Sequence, residues 1–261
     1  MEYNFSEDLK SIREILGFSQ SELAEKIGVE QVTISRTELK KTEPSARLLE
    51  AVYSFAFDKN IKINKLKEMF WRDDLGANEK LLFHGAKTEI DGEIDIHKGR
   101  KNNDFGQGFY LTTSKEQAES FLRTSIAKAI AIGTIEEGQK FGYISTFEFK
   151  LSGNLAMHIF ENADVDWLHC IAAHRKKKMF IEVEREMARY DIIAGKIADD
   201  ATNATLTAYL AGAFGTAGDK EADDFCIRQL LPNKLKDQYC FKTEAAIKCL
   251  KFVKGEKIWL K

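Results

Sequence analysis

At 261 residues, with 44% apolar and 31% charged residues, the chain has material for one large or two modest soluble domains. A formal net charge of -2 excludes a global electrostatic pull toward nucleic acid or membrane, and no apolar run approaches a membrane span. Cys170, Cys226, Cys240 and Cys249 lack Cys-x-x-Cys spacing, no second ligand pair joins Cys170 and His174, and no basic-then-apolar segment opens the chain, so buried thiols, no metal and a cytoplasmic location are expected.

Residues 8 to 57 read as four short helices. Leu9, Ile12, Ile15 and Leu16 keep helical spacing until Gly17. Ser19 with Glu22 forms a capping box for a second helix whose apolar face is Leu23, Ala24 and Ile27. Gly28 permits a left-handed turn. A third helix is expected from about Gln31 to Lys40 and a fourth from Ser45 to Phe57 after Pro44.

This spacing, with Ser19-Gln20-Ser21-Glu22-Leu23-Ala24, Ile27-Gly28-Val29, Ile34-Ser35-Arg36 and Glu38, resembles the lambda-repressor/Cro-like class of DNA-binding domains. The resemblance implies double-stranded DNA as partner of residues 19–41. Gln31, Val32, Ser35 and Arg36 would face base edges, and Gln20, Lys40 and Lys41 would lie near phosphates. Two departures stand out: Glu30 replaces the usual hydroxyl cap of the third helix, and Lys40 replaces a usual Gly. Residues 1 to 72 hold 12 Lys+Arg and 12 Asp+Glu. One copy should therefore bind DNA weakly, and a homodimer is the natural remedy. A helical module for protein contacts is the competing reading.

Ile61, Ile63, Leu66, Met69 and Phe70 predict a further helix from Asn60 to Trp71. The polar stretch that follows sets the expected organisation: a helical domain at 1–72, a linker at 73–79 and a second domain at 80–261.

In the second domain, Leu81-Leu82-Phe83 predicts a buried strand that ends in His84-Gly85. Asp104-Phe105-Gly106-Gln107-Gly108 introduces a second strand, Phe109-Tyr110-Leu111, and Ser114-Lys115-Glu116-Gln117 is a capping box for a helix running to about Thr134. A strand is expected over Tyr143 to Leu151, where Phe147, Phe149 and Leu151 alternate with polar residues, and a helix over Asp164 to Lys176, carrying His169 and His174 as surface or packing residues. Arg175-Lys176-Lys177-Lys178 reads as a solvated face or a contact for phosphate or nucleic acid, and Tyr190 to Asp200 as a buried strand whose closing carboxylates, Asp199 and Asp200, either cap the next helix, the favoured reading, or touch ligand. A last strand is expected at Asp237 to Thr243.

The His-Gly strand end, the Gly-rich turn and the Tyr strand resemble the nicotinamide-binding half of ADP-ribosyltransferases of the diphtheria-toxin and poly-ADP-ribose-polymerase type. Phe-His-Gly with Asp-Phe-Gly-x-Gly-Phe-Tyr-Leu-Thr is closer still to a bacterial family of unassigned function in that superfamily, as is the Tyr190–Asp200 segment. The resemblance implies an α+β split-sheet domain and NAD as cofactor. His84 would bond the adenine-side ribose, Gly85 the nicotinamide amide, and Tyr110 would stack on the nicotinamide as the wall opposite His84. Asp104, Gly106 and Gly108 would line the cofactor. Gln238 falls where the family often has a Glu that orients the reacting ribose. A glutamine accepts no proton at neutral pH, so catalysis through Gln238, Tyr110 and His84 would rest on positioning. Glu182-Val183-Glu184-Arg185-Glu186 precedes the Tyr190 strand, the wrong place for a catalytic pair, and reads as an exposed face.

The expectation is thus a multi-domain protein, an all-α helix-turn-helix bundle followed by an ADP-ribosyltransferase-like domain. Its leading function is ADP-ribose transfer from NAD to a macromolecule by an autoregulated toxin or defence factor. The alternative is a transcriptional regulator that senses NAD or a related nucleotide without catalysis, and a third reading is a scaffold that keeps only the fold.

Overall fold

A computed structural model describes residues 4–76, 79–90, 93–136, 138, 141–198, 200–230 and 235–259. Contacts divide the chain into two units, Met1–Leu75 and Gly76–Lys261. The first contains α1 (Phe5–Ile15), α2 (Gln20–Ile27), α3 (Gln31–Glu38), α4 (Ala46–Asp58) and α5 (Ile63–Asp74). Local chemistry sets several of the starts. Asn4, Ser19 and Ser45 accept backbone N–H groups at the beginnings of α1, α2 and α4, and Ser19 with Glu22 completes the capping box. Leu9, Ile12, Leu23, Ile34 and Val52 are fully enclosed at the centre of the bundle, each worth about 1.5–3 kcal/mol of transfer free energy. The last helix runs on to Asp74, into the stretch expected as linker, where an Arg72–Glu68 pair at 2.9 Å spans its final turns.

The second unit contains β1 (Glu79–Ala86), β2 (Phe109–Thr112), α6 (Lys115–Ala131), β3 (Phe141–Lys150), β4 (Met157–Ile159), α7 (Val165–Arg175), α8 (Ile181–Met187), β5 (Ile192–Lys196), α9 (Asp200–Leu210), α10 (Lys220–Leu230), β6 (Asp237–Phe241), α11 (Glu244–Ile247) and β7 (Leu250–Trp259). The strands join in the order β4-β5-β6-β2-β1-β3-β7. All pairs are antiparallel except β4 with β5. Strand alternation sorts side chains into two cores. Trp167, Ile171, Leu206 and Tyr209 from the helices meet Ile193 and Cys240, whereas Leu82, Phe109, Leu111, Phe147, Tyr239 and Phe241 share the other core with Ala246 of α11.

The described strands form one seven-stranded sheet. The join between β1 and β2 is short, registering at Phe83↔Thr112. That short join leaves β4-β5-β6-β2 and β1-β3-β7 as two halves of a single sheet. The helix after β2 stops at Ala131, three residues short of the expected Thr134, because Gly133 turns left-handed at φ 71°. Asp199 and the side chain of Asp200, expected as caps, lie outside the described residues. Among the described residues no helix is long and apolar enough to cross a membrane.

Candidate nucleic-acid interface and nucleotide site

In the helical unit, Gly28 closes α2 in the left-handed region at φ 70°, and the Val29 N–H returns to the Ala24 carbonyl at 2.9 Å. The turn delivers α3 with Ile34 and Thr37 buried and Gln31, Val32 and Arg36 exposed; Ser35 is half-buried. Glu30 precedes α3 and makes no side-chain cap, as its chemistry led one to expect.

A polar chain fixes this face. Glu38 accepts the Arg13 guanidinium at 2.6 and 3.2 Å and the Gln20 amide at 2.8 Å, and Gln20 Oε1 accepts the Gln31 amide at 2.8 Å. Gln20, expected near phosphates, is therefore bonded inward, and it orients Gln31. Lys40 pairs with Glu7 at 3.2 Å, both exposed, and Lys41 is exposed.

Lys40 also adopts φ 54° where the resemblance would place a Gly, which ends α3 at Glu38 rather than Lys40. A side chain in that region costs roughly 1–2 kcal/mol. We therefore expect Lys40→Gly to raise the stability of the helical unit by about 1 kcal/mol in a urea titration.

In the second unit the candidate site gathers where β1 and β2 part. Beyond Phe83↔Thr112, the His84 imidazole takes the place of a ladder amide: its Nδ1–H donates to the Tyr110 carbonyl at 2.7 Å. That bond leaves Nε2 as an acceptor. The ring lies 4.5 Å from Phe109, and burial lowers its pKa from the ordinary value.

The pleat carries Gly85 and Tyr110 to one face and His84 to the other. The two side chains expected as opposite walls of one pocket thus project from opposite faces of the sheet. The Gly85 backbone pairs with Ile144 on its β3 side, and a Cβ at Gly85 would press on the Ala118 carbonyl at 2.5 Å. Only glycine lets α6 sit this close.

Tyr110 closes its own loop. Its hydroxyl accepts the Phe105 N–H at 2.9 Å and donates to the Gly106 carbonyl at 2.7 Å, and burial raises its pKa well above the ordinary value. Gly106 needs φ 84° and lies against the His174 ring; Gly108 packs on the Phe241 carbonyl and Cys240 Sγ with no room for a Cβ. Burial pushes the Cys170 and Cys240 thiols up to about 12, so neither is a thiolate near neutral pH.

Asp104, expected to touch cofactor, spends both oxygens on the protein. Oδ1 accepts Arg175 Nε at 3.0 Å and Nη2 at 2.6 Å; Oδ2 accepts the Ala198 N–H at 3.1 Å and Gln238 Nε2 at 2.8 Å. Gln238 stands opposite Thr112 and so shares the Tyr110 face. Sequence reasoning missed Arg175. It sits in a basic run expected to be solvated, yet it bonds Asp104, the Ala198 carbonyl and Asn203. Its one signal was its position in the last turn of a helix, with a carboxylate far away in the chain. Glu182, Glu184 and Glu186 lie on α8.

Two half-buried histidines give the unit a pH response. Burial lowers the pKa of both His84 and His174. The unfolded chain takes up these protons as pH falls through about 6.5, and the folded chain resists them. The stability they contribute is complete above about pH 6.5 and is lost as pH falls toward their lowered values. Thermal unfolding between about pH 7 and 5 should show a falling Tm, with a shallower fall in His84→Asn.

Residues 81–252 match a family described as Protein of unknown function (DUF3990), and residues 9–52 match one described as Helix-turn-helix. No curated protein and no solved structure matches the chain.

Proposed function

We propose, from the premise that this chain belongs to the DUF3990 family, of unknown function, and carries a helix-turn-helix domain, a DNA-binding regulator whose second unit binds NAD. The exposed face of α3 would read base edges through Gln31, Val32, Ser35 and Arg36, with Lys40 and Lys41 near phosphates. NAD would lie at the fork of β1 and β2. Gly85 would offer its backbone to the nicotinamide amide, Tyr110 the ring platform, and Gly106 and Gly108 the close-fitting turn, while His84, on the other face, would hold the Tyr110 strand in place through the Tyr110 carbonyl.

The observation that carries a binding rather than a catalytic role is the tie between Gln238 and Asp104. It uses the amide nitrogen, so Oε1 is the end that meets a ribose hydroxyl. No proton can be taken up there at neutral pH, and Asp104 is already paired with Arg175. This set orients a sugar without activating a nucleophile.

ADP-ribose transfer to a macromolecule is the second reading, favoured by Gly85, Tyr110 and Gln238 sharing one face. It would proceed by positioning alone, with the acceptor supplying a good nucleophile. One experiment separates them. The full chain is bound to a fluorescent duplex from its own upstream DNA, NAD is added, and free nicotinamide is assayed in the same tube. A regulator changes its DNA affinity with no nicotinamide released; a transferase releases nicotinamide; neither response would sink both readings.

A further inference from the structure

We infer that two copies of this chain associate through β7, paired antiparallel edge to edge about a two-fold axis at Gly255. The inference does not rest on the NAD reading. Strand β7 ends the sheet, so among the described residues its outer edge faces no other strand. It is ten residues long and exposes Phe252 at 48% and Trp259 at 65%. A row of backbone N–H and C=O groups of that length is a template for a further strand.

Lysines along an edge usually forbid such pairing, and β7 has three: Lys251, Lys254 and Lys257. One register alone sets unlike charges against each other. With Gly255 opposite Gly255 of the second copy, Lys254 faces Glu256 and Glu256 faces Lys254, twice by symmetry. No lysine then meets a lysine, and the bulge that β7 makes at Val253 against β3 falls outside the three central pairs. Centring on Lys254 would oppose that residue to itself and Lys251 to Lys257. Centring on Glu256 would oppose two carboxylates.

The charges are already arranged for this. Lys254 Nζ lies 3.2 Å from Glu256 Oε2 on one face of the strand, and Lys115 holds the same carboxylate at 2.7 Å. Directly opposed residues in an antiparallel pair share a face, so the two-fold would close a ring of four alternating charges. The edge lysines then act as a selector for a second copy of this chain, rejecting edges without a matching acidic residue. The result fits the helical unit, whose balanced charge calls for two copies on one DNA.

The test measures the mass of the full chain in solution by sedimentation. Wild type should be a dimer. Lys254→Glu and Glu256→Lys, each alone, should weaken association by about tenfold or more, since both change two opposed pairs into like charges. Mixing those two variants should restore a dimer, because each supplies what the other lacks. As a check independent of folding losses, Gly255→Cys should form an intermolecular disulfide under mild oxidation. A Cβ there meets only ordinary contacts, the nearest at 3.4 Å, and opposed Cα atoms would be about 4.5–5.5 Å apart. A monomeric wild type, single variants that dimerise as wild type does, or folded variants that stay monomeric when mixed would each overturn the inference.

Discussion

Asp104→Asn is expected to destabilise the second unit by about 3–5 kcal/mol, the cost of breaking a buried ion pair from one side. The carboxylate is 8% exposed and carries four donors from three separated parts of the chain: the α7 end, the segment after β5, and β6. An amide at that position presents one oxygen and two N–H groups, so it meets donors with donors. The Arg175 guanidinium then has no counter-charge in a site where it is largely enclosed. With whole-domain stabilities of about 5–15 kcal/mol, such a loss should appear as a large fall in the urea midpoint with the slope unchanged. Replacing both partners, Asp104→Leu with Arg175→Met, should recover part of it, because two apolar groups leave no unpaired charge. A loss below about 1 kcal/mol would mean that the pair is solvated and is not the hub of the site.

The second large effect belongs to the helical unit. Glu38→Ala is expected to cost about 2–3 kcal/mol, less than a fully buried pair because Arg13 retains 15% exposure. Glu38 ties α1 to α3 through Arg13 and ties α2 to α3 through Gln20. Its removal should also release Gln31, whose amide is oriented by Gln20. Helical circular dichroism on heating should show the earlier melt, and affinity for DNA should fall below that of an Arg36→Ala control at a temperature where both remain folded. Equal melting of Glu38→Ala and wild type would remove Glu38 as the organiser of this face.

Much of this architecture was legible because it is written in local patterns. Ser19 and Ser114 cap the helices they were expected to cap, Ser45 caps a helix it was expected to begin, and Leu23, Ala24 and Ile34 fall inward as their spacing requires. The strand at Asp237 and the helix at Asp164 were equally visible. What escaped depends on pairs distant in the chain. Arg175 and Asp104 are 71 residues apart, and Gln238 and Asp104 are 134 apart. No periodicity marks such a pair. A basic run read alone looks solvated, and an acidic residue before a Gly-rich turn looks like a ligand contact. The facing of His84 and Tyr110 was missed for a related reason. It is set by the register of β1 against β2, which strand patterns do not contain.

The left-handed Lys40 shows the opposite case. A position where the helix-turn-helix class usually carries Gly is one whose backbone turns left-handed, and Lys40 does so at φ 54° despite its side chain. The join of the seven described strands was not legible either, since a resemblance carries a family's outline but not the one registered pair that links the two halves here.

Calorimetric titration of the full chain with NAD tests the central claim most directly. Saturable one-to-one binding is expected. Tyr110→Ala should abolish it. Tm should also rise with NAD, by an amount corresponding to about 2.7 kcal/mol when NAD is at roughly a hundred times its Kd. Absence of heat and of any thermal shift, in protein whose two units melt cooperatively, would contradict the nucleotide site.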